Sequence, residues 1–305
     1  MQISSISMFK AQNIGQNTAL KSERTQQYIQ NASDTFCKSA NVAFKGNDNI
    51  GLLPEKITPL TRKEAVKQGY TCVYTAKELQ KALNKNKKVC LMSDIKLNPN
   101  SKNNWNPIAE FSNELNGNGF AITGLRINQP DKDRVGLFSE LKFYTKVENL
   151  ILTDAKITGE NDVGGLAGWM YDSAEAVNNH IEADIRGGNW VGGLAGGMYD
   201  SAKAVDNHIE VDVQGRNWVG GMAGWMYDSA KAVDNHIEVD VTGRNWVGGL
   251  AGRMYDSAKA VENHIGADVT GIENVGKLAG EMSYSTTIEN NNTESVKVYQ
   301  LLKNK

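Results

Sequence analysis

All four histidines of the chain, His180, His208, His236 and His264, stand 28 residues apart. Two residues after the first three come glutamates, Glu182, Glu210 and Glu238, and the series breaks at Gly266. Asp184, Asp212, Asp240 and Asp268 follow two residues further on. On an extended strand, residues two apart share a face. An imidazole and a carboxylate so placed can approach one ion, as transition-metal and Ca²⁺ sites require. A row of imidazoles would also titrate near neutral pH. In-register stacking would set like charges about 5 Å apart, at roughly 1 kcal/mol per neighbouring pair even in water. The same pattern also reads as a solvated face copied with its repeat, and no dedicated cofactor is expected.

A second array is aromatic. Trp190, Trp218 and Trp246 recur at one position of the repeat, and Tyr171, Tyr199, Tyr227 and Tyr255 at another. Stacked rings can bury area at a rim, or offer flat apolar faces to sugar rings. The adjoining Asp172, Asp200, Asp228 and Asp256, each followed by Ser, are turn formers. Catalysis needs several different groups converging on one point with their pKa values held apart, whereas near-identical coils supply one arrangement many times. No nucleophile elbow, HExxH, phosphate loop or CxxC occurs. The chain reads as a non-enzyme.

These side chains need elements that repeat with the same period. VGGLAG begins at Val163 and Val191, returns as VGGMAG at Val219 and VGGLAG at Val247, and decays to VGKLAG at Val275. The same step backwards reaches VGLFSEL at Val135, so six registers run over 135–302. In AVDNHIEVDV, Val205, Asn207, Ile209, Val211 and Val213 alternate with polar residues, a period of two that marks a strand with β-branched residues inward. VGGLAG reads as a second short strand. One repeat cannot bury its own apolar face, so coils must stack, each adding a strand about 4.8 Å along the axis. The expected fold is all-β, a parallel β-solenoid with 28-residue coils. Asn149, Asn179, Asn207, Asn235 and Asn263 fall on the inward phase, where amides are tolerated only if they bond to their equivalents above and below. An internal asparagine ladder is expected.

Residues 67–305 are assigned to this solenoid. TAKELQKALNKNKK, about 75–88, has a capping-box pattern in Thr75 and Glu78 and one apolar face, and predicts a helix that covers the open end. Residues 1–66, rich in Gln, Asn, Ser, Thr and Lys, predict a flexible polar leader. SVKVYQLL, 295–302, predicts a last strand with an apolar closure.

The 305 residues carry a net charge of −2. Residues 1–134 hold 19 basic and 11 acidic groups, and 163–274 hold 7 and 16. The acidic repeats argue against nucleic acid as a partner. No apolar run is long enough for a membrane span, and the start lacks the apolar core of a signal peptide. Cys37, Cys72 and Cys90 have no metal-ligand spacing; Cys72 with Cys90 is the pair expected under oxidation.

The stretch FSNELNGNGFAITGLRI (111–127), then VGLFSEL, VENLILTDAKITG and the repeated VGGLAG, resembles the GLUG-motif repeats of bacterial right-handed parallel β-helix proteins. The resemblance covers about 70–302. It implies a right-handed coil, no transferable catalytic residues and a place in surface or secreted proteins such as adhesins. The expected function is a non-catalytic repetitive binding, adhesion or spacer module with polysaccharide, or a host or cell-surface protein, as partner. A leaderless secreted effector, an intracellular scaffold and a polysaccharide-cleaving β-helix are the alternatives. Surface display or secretion by a leaderless route is favoured over a cytoplasmic location, and the oligomeric state is left open.

Overall fold

The computed structural model describes residues 57–283 and 285–301. The expected flexible leader lies almost wholly outside them. Its last residues do not: Arg62–Lys67 form helix α1, capped by Thr61 and Glu64 in a reciprocal capping box. Residues 62–66, expected in the flexible leader, are therefore helical.

Each block of 28 residues makes one full wrap of four short strands. In the coil that begins at Asn189 these are Asn189–Gly192, Ala195–Met198, Lys203–Val205 and His208–Gln214. Their equivalents stack into four sheets, here called the tryptophan, methionine, lysine and histidine sheets, of 5, 7, 9 and 9 strands. Every pairing is parallel, and within the repeats it is in register: His208 opposes His236 and Ile209 opposes Ile237. The molecule is a right-handed parallel β-helix, the hand that parallel crossovers adopt almost without exception.

The strands are short because the chain turns sharply between them. Tyr199–Ala202 forms a turn in which Asp200 and Ser201 both have positive φ, 46° and 67°, closed by the Ala202 amide donating to the Tyr199 carbonyl at 2.9 Å. Asp tolerates this left-handed region better than most residues. Asp206, at φ 54°, makes the next corner. That corner resets the alternation: Ala204 points inward, Val205 is only half-buried, and the inward phase resumes at Asn207. The expectation of one strand over 204–213 with Val205 inside is thus corrected to two strands on different sheets. VGGLAG is likewise not one strand. Val191 and Gly192 end the tryptophan strand, Gly193 and Leu194 turn, and Ala195 starts the methionine strand. The hexamer's last glycine lets coils meet, since a Cβ on Gly224 would stand 2.4 Å from the Trp190 carbonyl carbon.

Leu194, Met198, Ala204, Ile209, Val211 and Val213 fill each cross-section and are essentially buried. The asparagine ladder runs through this interior, with Nδ2 to Oδ1 distances of 3.0 Å from Asn179 to Asn207, 2.9 Å to Asn235, 2.9 Å to Asn263 and 2.8 Å to Asn291. Each Oδ1 also accepts a backbone amide; that of Asn207 takes the Asn179 N–H at 3.1 Å. Asn149 does not belong to it. Leu150 fills the corresponding place and donates its N–H to Asn179 Oδ1 at 3.1 Å, while Asn149 occupies the corner with φ 54°. The cause is a compensated slip. Val135 opposes Val163, but Phe138 opposes Ala167 and Ile151 opposes His180, one residue further on. A bulge between Leu152 and Ala155 restores the 28-residue step.

Helix α2, Ala76–Asn84, is shorter than the 75–88 expected, yet its capping box from Thr75 and Glu78 is formed and Leu79, Ala82 and Leu83 are its buried face. Lys85 caps it and Val89 already begins a strand. Cys72 and Cys90 are register partners on adjacent strands, both free thiols. At the other end Lys297–Gln300 extends the histidine sheet, but all four residues are exposed; Val296 supplies the buried apolar contact instead of a full closure. Among the described residues no helix is long and apolar enough to cross a membrane.

Candidate functional site

Among the described residues, three outward rows carry rings: a histidine row, a tryptophan row and a mixed row on the methionine sheet. The histidine row is fully assembled. His180, His208, His236 and His264 stack ring on ring with centroids 5.0, 4.8 and 4.9 Å apart. Glu182, Glu210 and Glu238 run beside them in register. Glu210 Oε1 lies 2.7 Å from His208 Nε2, and Glu238 Oε1 lies 3.1 Å from His236 Nε2. The His208 hydrogen bond holds the Glu210 carboxyl below the usual carboxylate range. Burial, with the nearby His208, pushes His180 down to about 4.

The tryptophan row is stacked as well. Trp190, Trp218 and Trp246 are nearly parallel, with centroids 5.1 and 4.8 Å apart, and all three sit at φ values of 53° to 55°. Their faces lie against one another, so the row presents ring edges and leaves little flat surface for a sugar. The four tyrosines are not part of it. They emerge just after the methionine strands, and the ring contacts among the described residues join Tyr171, Tyr199 and Tyr227 to Trp169 or Trp225, and Tyr255 to Tyr227.

Those two tryptophans belong to a third row that sequence reasoning missed. On the outer face of the methionine sheet Glu110, Glu140, Trp169, Gly197, Trp225, Arg253 and Glu281 are in register. Tyr199 stands edge-on to both indoles, 5.5 Å from Trp169 and 6.0 Å from Trp225. Tyr227 and Tyr255 stack at 6.2 Å, with the Arg253 guanidinium 4.6 Å above the Tyr255 ring. The Arg134 guanidinium lies 3.8 Å over Trp169 and pairs with Glu140, which accepts the Tyr171 hydroxyl at 2.8 Å. Lys142 Nζ bonds Glu110 at 2.5 Å. Glu110, Arg134, Glu140, Lys142, Trp169 and Tyr171 line an open cavity of about 570 Å³ bounded by Tyr199 and Asp200.

Electrostatics in this groove follow from partial burial. Desolvation, then the Glu140 hydrogen bond, raises the Tyr171 hydroxyl, and burial raises Tyr199. Burial also pushes Asp162 up to about 6, opposed by the nearby Trp169 indole N–H and the Arg134 charge. Asp200 is raised by burial and by a hydrogen bond with Asp228 that can form only if the two share a proton. The signal for the groove was present in the sequence: Gly197 and Trp225 differ between two otherwise nearly identical repeats.

Fold and rows define a parallel β-solenoid that presents the same side chains at a fixed axial step. No protein-family signature matches the chain. It is 37% identical over 91 residues to halomucin of Haloquadratum walsbyi, and 38% identical over 84 residues to a provisionally named Gly-rich membrane protein of Evansella cellulosilytica. These matches cover 26% and 25% of this chain but span only 1% and 10% of the relatives. A crystal structure of a provisionally named immunoglobulin A1 protease from Bacteroides ovatus superposes with a TM-score of 0.62 over 81% of this chain and 80% of that one, at 17% identity. At that identity the likeness is one of fold.

Proposed function

We propose that this chain is a non-catalytic binding module of GLUG-repeat type within a surface or secreted protein, and that its ligand is a polysaccharide. The observation that carries this reading is the groove on the methionine sheet. It places Trp169, Tyr171 and Tyr199 beside the paired charges Arg134–Glu140 and Lys142–Glu110. Aromatic rings accept the apolar faces of sugars while bidentate charged groups take their hydroxyls. Glu110 and Glu140 are each matched with a cation, which suits hydrogen bonding better than proton transfer. The similarity to halomucin and to a protein named as a Gly-rich membrane protein supports the setting. The aromatic stripe continues through Trp225, Tyr227 and Tyr255, so weak contacts along one polymer would add as avidity.

A glycan panel tests the proposal. Binding by the unmodified chain should be lost in Trp169→Ala and kept in Trp218→Ala, whose ring face is already covered by its stack. No binding to any polymer would turn the reading toward a spacer. Release of reducing ends or unsaturated products from a bound polymer would overturn the non-catalytic part.

A further inference from the structure

The first step of the histidine row differs from those that follow. His180 has Ile151 as its register partner on one side and His208 on the other, so its ring stands between an aliphatic neighbour and an imidazole. Exposure rises along the row. His180 is 6% exposed, the His208 and His236 side chains are each 24% exposed, and His264 is open to solvent. Among the described residues, ligand atoms from three such side chains fall within 4.8 Å of one another only here, on His180, His208 and Glu210.

We infer that His180, His208 and Glu210 form a binding site for a divalent transition-metal ion of the zinc class. Two imidazole nitrogens and one carboxylate oxygen are the donor set of three-ligand zinc sites that keep a fourth position open. Such borderline donors favour Zn²⁺ and its late first-row neighbours over Ca²⁺ or Mg²⁺. Bonds of about 2.0–2.2 Å in a tetrahedron set ligand atoms about 3.3 Å apart. Glu210 and His208 already stand at 2.7 Å, so the contraction falls to the His180 side chain. Binding displaces the proton that His208 Nε2 shares with Glu210 Oε1 and leaves the remaining imidazole proton on Nδ1. The partly desolvated position beside Ile151 strengthens attraction between the ion and Glu210 relative to the exposed end of the row.

The test is titration of the full chain, stripped with a chelator, by Zn²⁺ in competition with a chromophoric chelator. One ion per chain is expected, with a rise in melting temperature that grows with free Zn²⁺. His180→Gln and Glu210→Gln should each weaken binding by about tenfold or more, and His264→Gln should leave it unchanged. Absence of Zn²⁺ binding by the unmodified chain overturns the site. So does an equal loss in His264→Gln and His180→Gln, which would mean independent surface imidazoles. If His180→Gln does not fold, unchanged affinity in Glu210→Gln overturns the site by itself.

Discussion

Tyr199 lies across Gly197 so closely that a Cβ on that glycine would stand 2.0 Å from the phenolic oxygen. The equivalent positions one coil before and one coil after are Trp169 and Trp225. A missing side chain thus lets one tyrosine fold down between two indoles and form a wall of the groove.

Restoring the larger residue tests that relationship. Gly197→Trp should fold with a cooperative transition, since Trp169 and Trp225 are accommodated at the same register, but it should drive Tyr199 outward. We expect higher tyrosine accessibility in solvent-perturbation spectra and at least tenfold weaker polymer binding. An unchanged Tyr199 environment would contradict the packing described.

The asparagine ladder makes a sharp stability prediction. Asn207 accepts from the Asn179 backbone and side chain and donates to Ala176 O and to Asn235 Oδ1, both at 2.9 Å. Asn207→Ala leaves several of these groups buried without their partner, each at about 1–3 kcal/mol. A total loss of about 3 kcal/mol or more should appear in denaturant unfolding. Trp218→Ala, on the rim, should cost less.

Two buried groups give opposite pH dependences. Asp162, about 6 in the fold against 3.8 as its reference value, binds more protons folded than unfolded between those pH values. Its contribution is fully present below about pH 4 and is lost as pH rises through 6. Asp162→Asn should therefore stabilise the protein at pH 7, by about 1–2 kcal/mol, and give no gain at pH 3.5. His180, about 4 against 6.5, binds fewer protons folded. Its contribution is present above pH 6.5 and is lost as pH falls toward 4. His180→Gln should flatten the acid limb of the stability curve, by up to about 3 kcal/mol. Denaturation midpoints from pH 3.5 to 8 for both variants check the two signs.

Removing residues 219–246 excises one whole coil and joins equivalent positions. The shortened chain should remain folded, with the far-ultraviolet signature unchanged and a modestly lower melting temperature, because each coil contacts mainly its neighbours. Removing 14 residues instead, half a coil, should abolish cooperative unfolding. Similar behaviour of the two deletions would contradict one wrap per repeat.

Much of this architecture was legible before any coordinates. The constant 28-residue step fixes the in-register rows, including the stacked histidines, and buried amides could be satisfied only by a ladder. Thr75 and Glu78 announced α2. What escaped were the corners. Asp206, Glu262 and Asn149 adopt positive φ without being glycine, so the period-two pattern runs on in sequence while the backbone has already turned. Hence Val205 was placed inside and Asn149 put into the ladder. The groove escaped for another reason. Arg134 and Trp169 are 35 residues apart along the chain, a coil and a quarter, and the space beside them is shaped by an absent side chain at Gly197.

The register slip near Leu152 has its own implication. Above it, as far as the strand that ends at Gly271, each coil ends where an equivalent coil can begin, so copying a block leaves the lateral chemistry untouched and adds about 4.8 Å along the solenoid axis. Below it, a coil offset by one residue is not interchangeable with the rest. Length in this molecule is accordingly an adjustable quantity in one direction from a fixed foundation. Related chains should vary in reach through unequal recombination without rebuilding their base.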